Sequence, residues 1–317
     1  MKTELKTYEH ELKTGITKSP EFRKKKLATH AANCGLKCGH GCTYCSTPSL
    51  NRQHQAYREV GKTAFEPGYC ILDPTAPLRI AQDAPKLCSD DVVMVNTLTD
   101  SWSPEARKYD IGSQMLNILL EKSSCNVRVL TKGDEVNKDF GLMKKFGDRL
   151  YFSMSLTAPA EKEGIIKVIE PNAASITKRI EMLQEAHNKG IKTYGMLCPC
   201  LPGIADDKES LTSMFNAVLD AGATEIWTEP VNARGNNLVL TETALRNARY
   251  ENEANAVNKI RKRKNWIDYA LAFINTIDNV ISEVKNKIPV HVLMYSSNFK
   301  QIPRIAVKNS RLDIIWL

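Results

Sequence analysis

Residues 33–46 read Asn33-Cys34-Gly35-Leu36-Lys37-Cys38-Gly39-His40-Gly41-Cys42-Thr43-Tyr44-Cys45-Ser46. Four thiols within twelve residues are hard to explain as core packing. Thiolates set this closely can share a metal, and Gly35, Gly39 and Gly41 let the backbone wrap round it without Cβ clashes. Four cysteines could close a tetrahedral zinc site, but structural zinc usually draws on two cysteine pairs separated by a longer spacer, which this run lacks. Three of the four fall into a Cys38-x3-Cys42-x2-Cys45 spacing, with the aromatic Tyr44 directly before the last. Cys34 stands apart as a substitute ligand or an accessory thiol. His40, inside the run, reads as a hydrogen-bonding partner of the loop rather than a metal ligand.

Working outward, the run follows a short apolar stretch, Leu27 to Ala32, that reads as a strand. Further brief β-branched or apolar segments recur at Val92 to Asn96, Val127 to Thr131, Leu150 to Leu156, Lys192 to Leu197, Glu225 to Thr228 and Pro289 to Met294. Amphipathic stretches lie between them, which is the pattern of βα units. Ser103-Pro104 offers a helix start ahead of Ile111, Met115, Ile118 and Leu119. Helices are also expected over about 172–189 and 207–221, closed by Gly190 and Gly222, and over about 242–263 and 266–286. No internal repeat or linker divides the chain. The expected division is a basic arm at 1–25, a core at 26–240 and a helical extension packed on it at 241–317.

The 317 residues carry 44 Lys plus Arg against 36 Asp plus Glu, a net charge of +8, with 42% hydrophobic and 25% charged residues. Such a composition excludes a disordered or fibrous chain, and no apolar run approaches the roughly 20 residues of a membrane span. The lysine-rich start lacks an apolar signal core, so the nine cysteines are expected as thiols or metal ligands in a cytoplasmic protein. Basic runs at Arg23 to Lys26 and Arg261 to Lys264 read as solvated surface, or as a phosphate-facing patch if folding brings them together.

The cysteine spacing with its aromatic resembles the radical S-adenosylmethionine superfamily, and the resemblance extends over roughly residues 27–235. Within the superfamily the sequence is most similar to the spore photoproduct lyase-like group. That likeness implies a partial (β/α)6 barrel, open on one side. Cys38, Cys42 and Cys45 would hold a [4Fe-4S] cluster, whose open iron binds S-adenosylmethionine so that one electron cleaves the sulfonium and releases a 5′-deoxyadenosyl radical. Residues 96–105, Asn-Thr-Leu-Thr-Asp-Ser-Trp-Ser-Pro-Glu, match the group's segment facing the methionyl amino group, which brings in Thr99 and Asp100. Val129-Leu130-Thr131-Lys132 matches the strand end whose lysine meets the methionyl carboxylate. Ser153-Met154-Ser155-Leu156 matches its ribose-facing strand, with Ser153 chosen for the hydroxyl contact and Ser155 beside it. Tyr44 is implied to pack beside the adenine. Gly190 to Gly203 matches the fifth strand and the loop after it. A one-electron donor such as a flavodoxin or ferredoxin is implied as a partner.

The sequence also departs from the lyases. Their hydrogen-donor cysteine lies in a Cys-Thr-Ser-Asp run, and the matching run here is Thr97-Leu98-Thr99-Asp100, with a threonine in the donor's place. Cys88 precedes the strand and matches only in linear distance. Cys198 and Cys200, at the end of the fifth expected strand, are the alternative thiols, open to hydrogen donation, a redox pair or a second metal. Glu229 and Arg234 follow the sixth strand at the same rim and read either a substrate or each other. The expected activity is reductive cleavage of S-adenosylmethionine and hydrogen abstraction from a substrate, with nucleic acid the favoured class. A radical enzyme modifying a peptide or small molecule, and a zinc-stabilised nucleic-acid-binding module, are the rival readings.

Overall fold

The computed structural model describes residues 5–295 and 307–317; the first four residues of the expected arm lie outside them. The strands are β1 (Lys6–Glu9), β2 (Ile16–Lys18), β3 (His30–Ala32), β4 (Gly35–Lys37), β5 (Tyr69–Leu72) and β6 (Val92–Val95). They continue with β7 (Asn126–Thr131), β8 (Leu150–Leu156), β9 (Lys192–Cys200), β10 (Ala223–Pro230), β11 (Val290–Met294) and β12 (Leu312–Trp316). Nine of them form one sheet in the order β12-β11-β10-β9-β8-β7-β6-β3-β2, and β1, β5 and β4 form a small second sheet. From β3 to β12 every pair in the large sheet is parallel, and only β2 at its edge is antiparallel. The seven strands expected from the sequence are all present in that sheet, adjacent to one another.

Strand β8 shows why these segments bury both faces. Leu150, Phe152, Met154 and Leu156 face the helices and join the main core, while Tyr151 faces the inner side with Met94, Tyr194, Met196 and Trp227. That inner cluster draws on both ends of the sheet: Leu27 and Ala28 precede β3, whereas Leu293 and Ile315 belong to β11 and β12. Lys26 Nζ also reaches Asp313 Oδ2 of β12 at 2.6 Å. The sheet therefore curls into a barrel, and residues 22–28 fill the gap between its ends. Deep inside, the Arg128 guanidinium lies 5.1, 5.0 and 4.7 Å from the ring centres of Tyr151, Tyr194 and Trp227 and pairs with Glu225 at 2.6 Å.

The helices pack outside the barrel. Ile176–Asn188 is capped by Ser175, which accepts from Lys178 N, and Lys208–Asp220 by Asp207, which accepts from Ser210 N. Gly190 and Gly222, at φ 79 and 72, close those helices in the left-handed conformation as expected. Ser103-Pro104 does not open its helix. A 3-10 turn occupies Ala106–Tyr109, Asp110 breaks it at φ 48, and the α-helix runs Ile111–Lys122. The stretch expected as one helix over 242–263 breaks at Arg249, φ 65, into Asn237–Asn247 and Glu251–Lys259, ahead of Arg263–Glu283.

Two expectations at the ends of the chain are corrected. Residues 6–25 are no peripheral arm: β1 pairs with β5, β2 pairs with β3, and buried Lys25 offers its carbonyl to Trp227 Nε1 at 3.1 Å. The extension after 241 is not purely helical, because β11, the seventh strand read from the sequence, and β12, which was not expected, continue the parallel sheet. The inner face of β10 needs that cover, since Trp227 is 1% exposed and stacks on His291 of β11 at 4.6 Å.

Candidate active site

The C-terminal ends of the parallel strands open into a cavity of about 210 Å³. Cys38, Cys42 and Cys45 line it from the loop after β4, Asn96 to Asp100 from the loop after β6, and Thr131, Lys132, Ser155, Cys198 and Glu229 from the ends of β7 to β10. This is the end of a βα barrel where side chains from different strands converge. Cys34 is outside it, fully buried, with Sγ 3.6 Å from Thr99 Oγ1, and burial pushes its thiol up to about 12.

The cysteine loop is held on several sides. His40 Nε2 meets Asp100 Oδ2 at 2.9 Å, Gly39 N donates to Glu105 Oε1 at 2.7 Å, and Thr43 N donates to Ile169 O at 2.9 Å. Gly41, at φ 69, sits where glycine is favoured, and a Cβ on Gly39 would stand 2.2 Å from Glu105 Oε2 and displace that carboxylate from its bond to Gly39 N. Burial pushes the Cys42 thiol up to about 12 and that of Cys38 well above its usual value, a cost that bound cationic iron would offset.

Asp100 is buried and saturated. Its oxygens accept from Thr131 Oγ1 at 2.8 and 2.9 Å, Lys132 N at 2.8 Å, Trp102 N at 2.9 Å and Asn96 Nδ2 at 3.3 Å, besides His40. Burial alone would raise its pKa, and the imidazole with these donors brings it below the usual range. The partner that explains this buried carboxylate is thus His40, whose own pKa burial would lower but Asp100 raises. Lys132 projects its Nζ to Ser155 Oγ at 2.8 Å, Glu170 Oε1 at 3.1 Å and Thr157 Oγ1 at 3.3 Å. Glu170 in turn accepts from Tyr44 OH, Thr157 Oγ1 and the fully buried Arg179. Burial would raise its pKa, but Arg179 and Lys132 hold it well below the carboxylate range.

A family model described as the radical SAM superfamily matches residues 33–214, more than half of the chain. The chain belongs to the radical S-adenosylmethionine superfamily. An uncharacterized protein of Acidianus two-tailed virus is 24% identical to this superfamily member over 68% of its chain and 71% of the relative. An uncharacterized protein of Methanocaldococcus jannaschii is 27% identical over 56% of this chain and 63% of its own. Among solved structures, spore photoproduct lyase complexed with dinucleoside spore photoproduct superimposes with a TM-score of 0.53 at 12% identity, covering 75% of this chain and 66% of the lyase. A lyase variant with S-adenosylmethionine and dinucleoside spore photoproduct bound gives 0.53 at 11% identity, over 74% and 65%. The radical S-adenosylmethionine enzyme therefore spans a little under two thirds of the lyase chains whose fold it shares.

The donor set fits the family's iron–sulfur cluster. The thiols of Cys38, Cys42 and Cys45 line one cavity together with Lys132 and Ser155, while the fourth cysteine of the run is committed elsewhere. Among the described residues no three His, Cys, Asp or Glu side chains are drawn together round a single ion, so the fit rests on donor chemistry and the shared cavity. Of the residues singled out in the sequence, Tyr44, Thr99, Asp100, Lys132, Ser155 and Cys198 all line the cavity. Ser153 does not. It shares the inner face of β8 with Ser155 but lies one layer deeper, fully buried, its hydroxyl 3.3 Å from Met154 O. Cys200 is also removed from the cavity. The ladder pairs Thr228 with Leu197 but Pro230 with Cys200, so β9 carries an extra residue that turns Cys200 into the outer core, its Sγ 3.5 Å from Leu197 O. Cys88 is exposed just before β6, at the opposite end of that strand from the cavity.

Sequence reasoning missed Glu170 and Arg179. Arg179 stands three residues after Ile176 and four before Leu183, within the apolar stripe of its helix. A charge in such a stripe is a readable signal of a buried ion pair. Tyr295, whose hydroxyl donates to Glu229 Oε2 at 2.6 Å, had no local signal at all.

Proposed function

We propose that Cys38, Cys42 and Cys45 hold a [4Fe-4S] cluster, that S-adenosylmethionine binds beside it, and that the enzyme abstracts a hydrogen atom from a nucleic-acid substrate. When bound, the cluster and S-adenosylmethionine supply reductive sulfonium cleavage and a 5′-deoxyadenosyl radical. The chain's own residues bind and orient. Lys132, aimed by Ser155 and Glu170, presents an ammonium to the methionyl carboxylate. Asp100 holds His40 and the backbone of Lys132, so it fixes the cysteine loop and the strand end against each other. Tyr44, anchored through its hydroxyl on Glu170, lays its ring along the cavity wall where the resemblance puts the adenine.

Cys198 is the thiol this arrangement offers to a substrate radical. The S–H bond breaks, its hydrogen atom passes to the substrate carbon, and the radical remains on sulfur. Position supports the role: Cys198 shares the cavity with the three cluster cysteines, whereas Thr97 occupies the place of the lyase donor. The single observation that carries the proposal is this one cavity, holding three ligand thiols, the Lys132 ammonium and a fourth, separate thiol.

The test is anaerobic reconstitution with iron and sulfide, reduction with dithionite and chromatography for 5′-deoxyadenosine. Wild type should form it and the Cys38/Cys42/Cys45→Ala triple variant should not. A fully reconstituted and reduced four-iron protein that forms no 5′-deoxyadenosine from S-adenosylmethionine would overturn the reading.

A further inference from the structure

A second cavity of about 190 Å³ adjoins the first. The two share Ser46, Thr47, Thr97, Leu98 and Asn232 in their walls, and no cluster cysteine lines the second. Its own walls carry Thr17, Ser19, Glu21, Phe22, Lys25 and Arg234, with Tyr295 at one side. Hydroxyl groups, two cations and two aromatic rings thus surround a space reached directly from the proposed site of radical formation.

Glu21, Lys25 and the neighbouring Glu229, which Tyr295 bonds, are engaged with one another, and Arg234 stands apart from them. The Glu21 carboxylate is taken by Lys25 Nζ at 2.9 Å, and Lys25 rests over the rings of Phe22 and Tyr295 at 4.7 and 5.8 Å. Arg234 feels Glu21 only at a distance, and among the described residues its guanidinium makes no hydrogen bond or ion pair. It is half-buried, and the helix Asn237–Asn247 begins three residues later with its positive end toward this region. Among the described residues, Arg234 is therefore the cation of this wall without a side-chain partner, a planar fork suited to two oxygens of a phosphate or carboxylate. Arg23 and Lys24 flank Phe22 and Lys25 and are exposed. A single carboxylate would leave those cations unused, whereas the successive charges of a phosphodiester chain would engage them.

We infer that the second cavity receives the substrate and that Arg234 holds a phosphodiester of a nucleic-acid strand there. The inference rests on the radical reading of the first cavity and adds to it the place and the anchoring group of the substrate.

The test uses the full-length reconstituted protein and a labelled single-stranded oligonucleotide, with binding followed by fluorescence anisotropy at several salt concentrations. Arg234→Ala should weaken binding about tenfold and reduce the slope of log affinity against log salt by about one. An oligonucleotide with neutral methylphosphonate linkages should bind wild type and variant equally. Arg246→Ala removes an exposed arginine already paired with Glu242 and Glu251, and it should bind as wild type does. Equal affinity of wild type and Arg234→Ala, or an equal loss in Arg246→Ala, would overturn the assignment. So would displacement of the oligonucleotide by an acidic peptide of the same charge and length at equal concentration. Formation of 5′-deoxyadenosine in the same wild-type preparation reads the radical chemistry separately. Product formed without Arg234-dependent binding sinks this inference alone, and Arg234-dependent binding without product sinks the radical reading.

Discussion

Glu170 joins four polar side chains behind the cavity wall. Its side chain is fully buried, and it ties Tyr44, Lys132, Thr157 and Arg179 together. Breaking a buried pair by neutralising one partner is costly because the other charge stays behind. Glu170→Gln is therefore expected to lower the free energy of unfolding by roughly 3–5 kcal/mol, measured by denaturant titration. The pH dependence follows from the depressed pKa of this carboxylate. A group held below its unfolded value, about 4.3, contributes stability that is fully present above that pH. The contribution is lost as pH falls toward the folded value, when the unfolded state binds the proton first. Wild type should lose stability below about pH 4.3 more steeply than Glu170→Gln does, and parallel acid-unfolding curves for the two proteins would refute the account.

At the scale of elements, β9 decides which thiol meets the cavity. Cys198 and Cys200 are two residues apart and would share a face in a regular strand, yet the extra residue in the ladder to β10 sends one inward and the other outward. Burial raises both thiols, that of Cys198 to about 12, so neither reacts as a thiolate at neutral pH. Iodoacetamide followed by peptide mass spectrometry should modify exposed Cys88 first and Cys198 slowly. Cys200 should react only once the protein is unfolded, and its labelling at the rate of Cys198 in the native protein would contradict the register. The cysteine loop is an element of the same kind, held at its edges by bonds to the 169–172 segment, including Asn172 Nδ2 to Gly39 O at 2.9 Å. Chelating iron from the reconstituted protein should raise amide exchange in residues 38–45 and 169–172 together. Exchange unchanged in both segments would mean that iron is not held there.

Over the whole molecule, closure of the barrel depends on residues far apart in sequence. Trp227 packs between Tyr194, Arg128 and His291 and donates to the carbonyl of Lys25. Trp227→Ala should cost roughly 3–5 kcal/mol. The Lys26–Asp313 pair joins the same two ends of the sheet but is partly exposed, at 59% and 37%, and Asp313 also holds His291 at 2.8 Å, so Lys26→Gln, which removes that pair alone, should cost under about 1 kcal/mol. Thermal unfolding of the two variants should separate them clearly, and comparable losses would mean that the surface pair, rather than the inner packing, holds the barrel shut.

The seven short apolar segments and the helical periodicity between them were enough to fix a parallel βα arrangement, because strands covered on both faces must be apolar on both. The spacing of Cys38, Cys42 and Cys45 with Tyr44 carried the family in the same way, since ligand chemistry is local. Short-range patterns could not show that Ser153 lies a layer below Ser155 or that Cys200 turns away from Cys198, because depth in a barrel and a misregister between two ladders belong to the pairing of strands. Nor could they show that residues 22–28 complete the barrel, that Asp100 is already matched by His40, or that Glu170 and Arg179 stand behind Lys132. Each of these joins positions tens to hundreds of residues apart, brought together only when the sheet curls and its two ends meet.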